Sequence, residues 1–358
     1  MKSNILKFIC GFGLVSALFT SCKNGDQTFS DYEGGTTVYF PYQYPVRTIV
    51  LGDDEYDLTL DHAHKCKILA TFGGSYNGSG GSVTVAKDPN LVNHLTLEDG
   101  TPIKVMPESH YELATTTFNF NGTMNGGSEV QLTEAFFADP DAIKNTYVIP
   151  LVMTTQSGFG KILTGEVLKD YAGQNVDRTD PDKWNIQPMD YVLYMVKYQN
   201  KYTGFWLTHG TTDISNIEKA KIHQIETKSM NTCIYHASYT TNDYWMYKRD
   251  KDGNITSETE KTTHTFDFDL LLTFDGGDNC VITMLTPGIT GSGTGSWTDN
   301  GAVKAWGKKD RDLMELTYNV DFATTDELGN AQKASVHEKL VWQRSGVKKE
   351  EFKPVYNK

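Results

Sequence analysis

Several short stretches carry residue types that do chemistry elsewhere. "TFDFDLLL" sets Asp267 and Asp269 two residues apart, which puts both carboxylates on one face of a strand. Two carboxylates are the minimum for ordinary glycoside hydrolysis, but this pair reads as lining a surface. "HAHKC" sets His62, His64 and Cys66 at alternate positions. These are zinc-ligand types, yet neighbours on one flat strand face do not surround an ion tetrahedrally. The run reads as a half-buried strand with hydrogen-bonded histidines, and no metal is expected. "DKDGNITSETEK" (250–261) opens like a calcium loop, but Ile255 stands where glycine is needed and Lys261 where glutamate is needed. It reads as a hairpin turn. The chain has no G-x-S-x-G elbow. "GGSYNGSGG" (73–81) lacks the Lys-Ser/Thr pair and following helix of a phosphate loop, so it reads as a flexible hairpin loop. No complete catalytic set can be named, so no enzyme activity and no cofactor are expected.

Aromatic residues beside polar turns offer a different chemistry. "NDYWMYK" places Tyr244 and Trp245 at the approach to a hairpin. "GSWTDNGAVKAWG" places Trp297 and Trp306 on either side of Asp299-Asn300-Gly301. Sugar rings stack their C–H faces on such rings, while acids and amides bond the hydroxyls. Tyr244, Trp245, Trp297, Asp299, Asn300 and Trp306 are therefore the candidate glycan-binding residues. The alternative for each tryptophan is that it fills a core.

The elements that must position these residues are strands. From Thr36 onward, short alternating runs such as "YDLTLD", "KILATFGG" and "TTTFNFNG" are punctuated by Gly, Asn and Asp. Few helical periods appear, with one brief helical piece expected at "DPDAIKN". The chain reads as all-β, with an antiparallel sandwich over 36–168. Residues 169–190 are polar and turn-rich and read as a domain junction. All six tryptophans lie at or after 184, so the halves are not repeats of each other. Residues 191–346 hold up to eight strands with hairpin signals at "DKDGN", "DGGDN" and "DELGN". That favours an up-and-down barrel, followed by a tail over 347–358.

The 358 residues carry a formal net charge of −12, and removing Lys2 and Lys7 with a leader makes it −14. Nucleic-acid phosphates call for the opposite sign, so no nucleic-acid partner is expected. Neutral ligands such as glycans suit this surface. The leader itself is legible. Lys2 and Lys7 precede an apolar run from Ile5 to Phe19, then Thr20, Ser21 and Cys22. The run is short for a bilayer span. The stretch resembles a bacterial lipobox, which implies cleavage after residue 21, a lipid on Cys22, and a tether over 22–35. An ordinary secretory signal with an incidental cysteine is the alternative. Of the remaining cysteines, Cys66, Cys233 and Cys280 cannot all pair in one chain. Cys233 and Cys280 could bridge, or stay as small buried hydrophobes.

Two resemblances add to this. "TVYFPYQYPVRTIVLG", "ILATFGGSYNG" and "YVIPLVM" resemble the N-terminal domains of Bacteroidetes surface lipoproteins. Some of those are attached to endo-β-N-acetylglucosaminidase modules, and others to glycan-binding proteins of polysaccharide-utilisation systems. The resemblance implies an Ig-like sandwich without catalytic residues of its own. The attached glycosidases use a D-x-x-D-x-D-x-E motif, and this chain has Leu271 where the acid belongs. "YTGFW" carries Gly204-x-Trp206, and Arg344 follows "KLVWQ". That arrangement resembles lipocalins and implies a barrel with Arg344 packed over Trp206. The combined expectation is a non-catalytic, lipid-anchored outer-membrane protein that captures glycan at the cell surface, with a periplasmic-facing anchor left open. Alternatives are a lipocalin-like binder of a small apolar ligand, or an accessory subunit among surface lipoprotein partners.

Overall fold

The computed structural model describes residues 30–212 and 219–358. The leader, Cys22 and the first part of the tether lie outside the described residues. In chain order the first strands are β1 (Thr37–Tyr39), β2 (Pro45–Val50), β3 (Lys65–Gly73), β4 (Ser82–Lys87), β5 (Leu95–Thr96), β6 (Lys104–Val105) and β7 (Tyr111–Leu113). Next come β8 (Thr117–Asn119), β9 (Asn125–Leu132), β10 (Tyr147–Ser157), β11 (Lys161–Ile162), β12 (Glu166–Val167), β13 (Trp184–Ile186) and β14 (Tyr191–Gln199). One sheet runs β11-β1-β3-β9-β7, and a second, completed by a C-terminal strand, runs through β2-β14-β10-β4-β8 with β6 beside β10.

Alternation builds the core between these sheets. Cys66, Ile68, Ala70 and Phe72 of β3 point inward, and so do Val83 and Val85 of β4 and Ile149 and Leu151 of β10. The all-β expectation holds. The sheets are mixed rather than purely antiparallel, because β1–β11, β2–β14 and β6–β10 are parallel pairs. The helical piece falls at Glu134–Ala138, just before the expected "DPDAIKN".

The second domain is a closed barrel of eight strands, each paired to the next in sequence. They are β15 (Gly204–Thr212), β16 (Lys219–Ser229), β17 (Thr232–Arg249), β18 (Ile255–Phe274), β19 (Asn279–Met284), β20 (Thr290–Trp306), β21 (Lys309–Thr325) and β22 (Ala331–Arg344). β22 closes on β15 with Trp342 opposite Trp206. Three of its turns are copies of one device. In "DKDGN", "DGGDN" and "DELGN" the first Asp N–H donates to the carbonyl of the closing Asn at 2.9–3.0 Å. Its carboxylate accepts two backbone N–H groups, those of Asp252 and Asn254, of Gly277 and Asn279, or of Leu328 and Asn330. The fourth position has positive φ each time, at Gly253, Asp278 and Gly329.

The domain boundary moves. β14, expected to open the second domain, lies between β2 and β10 in the first domain's sheet. Its Val192, Val196 and Tyr198 enter the sandwich core, while Tyr191, Leu193 and Met195 enter a second core on the sheet's outer side. A strand buried on both faces reads as a continuous apolar run that fits either domain. The segment 169–190 is therefore an excursion of the first domain, held by β12–β13 pairing and by Arg178 Nε on the buried Asp190 at 3.1 Å. The expected tail also returns. β23 (Glu350–Glu351) pairs with β2, and β24 (Val355–Tyr356) pairs with β5. The barrel is thus inserted between two neighbours of β2.

Candidate functional site

The barrel does not gather the expected glycan residues at one place. Trp297 sits at the floor, where its N–H donates to Asp278 O at 2.8 Å in the β18–β19 turn. Tyr244 lies twelve residues along β17 from Thr232, which pairs with Thr273 at that floor. At about 3.3 Å per residue this places Tyr244 roughly 40 Å away, at the other end. Tyr244 stacks on His264 at 4.5 Å and 21°, and His264 in turn meets Phe266 edge-on at 4.6 Å. Phe266 stacks on Phe322 at 4.1 Å, so a column of rings climbs from the lumen to the mouth. Trp245, the next residue, takes the opposite face under Lys261 Nζ at 5.0 Å.

At the floor, Trp297 is half-buried. Lys201 Nζ lies 4.1 Å over its ring, and Tyr202 meets it edge-on at 5.8 Å. Its indole N–H is buried without a partner. Asp299 and Asn300 are exposed, with Asn300 Nδ2 donating to Asp299 at 2.9 Å. Asn300 has φ +50° and its N–H donates to Asp312 at 3.0 Å, so this turn is tied inward. The backbone of Trp306 pairs with Lys309, and its side chain lies outside the described atoms. At the floor, then, Lys201 and Tyr202 take up part of the Trp297 ring surface.

Other expectations are redrawn. Arg344 does not cover Trp206. Its guanidinium lies 4.5 Å over Phe205, its own cross-strand neighbour, while Trp206 faces the lumen and donates from Nε1 to Tyr202 O at 3.1 Å. Arg311 lies over Trp342 instead, at 5.4 Å. "HAHKC" is not one strand face, because Thr59–His62 is helical, His64 has φ +57°, and only Cys66 enters the core of β3. Among the described residues no cluster of three His, Cys, Asp or Glu could hold a metal. Cys66, Cys233 and Cys280 are free and buried. Asp267 is exposed, and Asp269 is engaged by His236 Nδ1 at 2.7 Å. Among the described residues no helix is long and apolar enough to cross a membrane.

The open aromatic faces lie on the sandwich. Tyr32 is 70% exposed and Tyr76 is 71% exposed, and both line a groove of about 650 Å³ with Asp31, Glu33, Ser75 and Met124. The sequence explains the shape. Residues 32–36 run back along the end of β3, with Tyr32 N–H donating to Gly74 O at 2.8 Å. Gly74 has φ +97°, and a Cβ there would meet Gly35 O at 2.5 Å, so only glycine lets this strap approach. Gly34 lies directly against the Tyr32 ring, which orients it. The loop "GGSYNGSGG" is pinned rather than flexible. Gly78 packs against the Gly122 backbone, Gly122 N–H donates to Ser79 O at 2.8 Å, and Ser79 N–H to Thr123 O at 3.2 Å. The sequence hid this site because Tyr32 falls in a stretch that reads as tether. The available signal was a tyrosine inside a Gly/Ser loop, Tyr76, where the small flanking residues bury little of a large ring.

Comparison with known proteins follows this two-part division. Residues 32–160 match a family model described as "-like, N-terminal domain", and residues 201–346 match a domain of unknown function, DUF5627. A solved Bacteroides ovatus protein of unknown function is 29% identical, covers 92% of this chain and 100% of its own, and superposes with a TM-score of 0.71. A B. ovatus multidomain protein including DUF1735 is 12% identical over 89% of this chain and 99% of its own, with a TM-score of 0.37. A B. ovatus ATCC 8483 protein, provisionally described as carbohydrate binding, is 13% identical over 82% of this chain and 83% of its own, with a TM-score of 0.24. At those TM-scores the last two carry no argument. No curated protein matches the chain. The chain is similar along its length to a two-part all-β protein of Bacteroides whose function is open.

Proposed function

We propose that this protein is a non-catalytic glycan-binding module, lipid-anchored through Cys22 at the outer membrane. The observation that carries the reading is the pair of exposed tyrosine rings, Tyr32 and Tyr76, over a groove edged by carboxylates and hydroxyls. Rings held by backbone on glycine-lined walls present flat apolar faces at little entropic cost on binding, while Asp31, Glu33 and Ser75 accept from sugar hydroxyls. The groove is open rather than enclosed, which suits an internal stretch of a chain more than a single small molecule. Seven residues lie between Cys22 and Ser30, which makes eight Cα–Cα steps. At no more than about 3.6 Å each, they hold the groove within about 29 Å of the lipid.

The test is calorimetric titration of the purified chain with a panel of host and plant oligosaccharides, followed by tryptophan fluorescence. Five of the six tryptophans lie in the barrel and Trp184 lies in the first domain's 169–190 excursion, so the fluorescence of a Trp184→Phe variant reports the barrel and calorimetry reports both domains. Heat without a fluorescence shift, weakened at least tenfold in Tyr32→Ala/Tyr76→Ala, places binding in the groove. A shift lost in Trp245→Ala moves it to the barrel. No heat with any glycan class overturns the reading.

A further inference from the structure

The tyrosine groove carries a charge that nothing in its walls cancels. Two carboxylates, Asp31 and Glu33, line it, and among the described residues no lysine, arginine or histidine does. Neither acid forms an ion pair with a described residue. The acids elsewhere on this domain are answered. Glu129 meets Lys65 at 3.1 Å and Lys67 at 3.4 Å, and Asp141 meets Lys104 at 3.0 Å. The adjoining sequence supplies no surplus cation either, because Lys23 and Asp26, the charged residues between Cys22 and Ser30, cancel.

The hydrogen-bonding chemistry leans the same way. An ionised carboxylate only accepts. Ser75 Oγ accepts from Asn77 N–H at 3.1 Å, which holds the hydroxyl in place and leaves its O–H to donate. The faces of the Tyr32 and Tyr76 rings are themselves electron-rich and attract cations. A complementary ligand therefore has a flat apolar body, an excess of donors and a positive charge. A neutral sugar supplies the body and some of the donors. A hexosamine with an unsubstituted amine adds an ammonium, which brings three donors, no acceptor and the matching charge. N-acetylation removes that charge and puts a carbonyl acceptor in its place. A uronate or a sulfate ester brings the wrong sign.

We infer that the groove selects glycans with unsubstituted, protonated amino groups and turns away uronate and sulfated ones. Asp31 and Glu33 take the ammonium, and Tyr32 and Tyr76 take the ring faces. The inference rests on the reading of this groove as the glycan site and names the class of glycan it takes. Both acids are exposed, so the selection is electrostatic at a wet surface and weakens with salt.

The experiment is calorimetric titration of the full chain with four tetrasaccharides: β-1,4-linked glucose, N-acetylglucosamine and glucosamine, and a galacturonate. Each is run at low salt and in about 0.5 M sodium chloride, where charges a few ångströms apart are screened. At low salt the glucosamine oligomer is expected to bind about tenfold tighter than the glucose oligomer, and the galacturonate not at all. The preference should vanish in high salt and in Asp31→Asn/Glu33→Gln, exposed changes that leave the rings in place. Tyr32→Ala/Tyr76→Ala should weaken the glucose and glucosamine oligomers together. Equal affinity for those two in wild type at low salt, or a preference that survives Asp31→Asn/Glu33→Gln, overturns the inference and leaves a neutral-glycan groove standing. Glucosamine binding that is indifferent to both double variants lies elsewhere on the chain and overturns it too. Absence of heat with these four and with every other glycan overturns both this inference and the reading it rests on.

Discussion

The sandwich and the barrel both carry aromatic rings beside Gly- and Asp-rich turns, yet they use them in opposite ways. Tyr32 and Tyr76 stand about 70% exposed on a strap and a loop that backbone hydrogen bonds tie down. The barrel's rings answer one another: Trp206 lies opposite Trp342, Tyr202 stacks on Phe274 at 3.6 Å, and Phe266 stacks on Phe322. A closed sheet brings every inward position near an inward position of another strand, so a large ring there finds a partner. The end of the sandwich leaves the Tyr32 and Tyr76 rings largely exposed. The same residue type is therefore buried cement in one region and exposed surface in the other.

The largest expected effect sharpens this contrast. Trp206→Ala removes a fully buried indole and is expected to destabilise the barrel by about 3–5 kcal/mol. Tyr76→Ala should stay within about 0.5 kcal/mol. Urea unfolding followed by far-UV circular dichroism compares them, and equal losses would break the distinction between cement and surface. Next comes the polar seam where the end of β14 meets the barrel: Asn200 Nδ2 donates to Ser229 O at 2.7 Å, its Oδ1 accepts from Thr203 Oγ1 at 2.9 Å, and its N–H donates to Thr227 Oγ1 at 3.0 Å. Asn200→Ala strips three elements of their shared partner and leaves the Ser229 and Thr232 carbonyls it bonds without that donor, for an expected loss of about 2–3 kcal/mol. If the domains unfold in two separate steps in this variant and in one step in the wild type, the seam is what couples them.

A smaller effect is set by pH. Burial pushes the Asp312 carboxyl up to about 6, with Asp53 and Asp299 adding to the rise and the Asn300 N–H opposing it. A raised acid holds its proton more tightly when folded. Its stabilisation is complete below the unfolded value near 4 and fades as pH climbs to 6. Wild type should therefore lose roughly 1–2 kcal/mol relative to Asp312→Asn between pH 4 and pH 7. Parallel melting curves across that range check the sign, and a gain in place of a loss would show that Asp312 is ionised in the fold. The smallest effect is at Lys201, which covers Trp297 and pairs with Asp278 at 2.5 Å. Lys201→Met should change stability by less than about 1 kcal/mol. It should alter the emission of Trp297, whereas a substitution in the tyrosine groove should leave that emission untouched.

Legibility followed the range of the interactions. The three five-residue turns were plain in the sequence, because Asp, Asn and a residue tolerant of positive φ close each turn with hydrogen bonds inside it. The alternation of β3 and β17 was equally plain. Wherever the partner was distant, the sequence was silent or misleading. "YVLYMVKYQN" looked like the first strand of the barrel, and only its pairing with Val46–Val50 assigns it to the sandwich. Arg344 was expected over Trp206, but the register sets it opposite Phe205. "HAHKC" alternated like a strand, and a helix end with a left-handed residue broke that alternation.

The sequence by itself determined an acidic, all-β chain with tight Asp-Asn turns and a tryptophan-rich second half. Those properties depend on composition and on contacts a few residues apart. Tertiary structure alone decided that the barrel is inserted between two neighbours of β2. It also decided that Tyr244 and Trp297 stand at opposite ends and that the strap at Tyr32 meets the loop at Tyr76. Each of these depends on which strands lie side by side and in what register. Residues of one type can be buried or open under the same local pattern, so only the assembled sheets distinguish them.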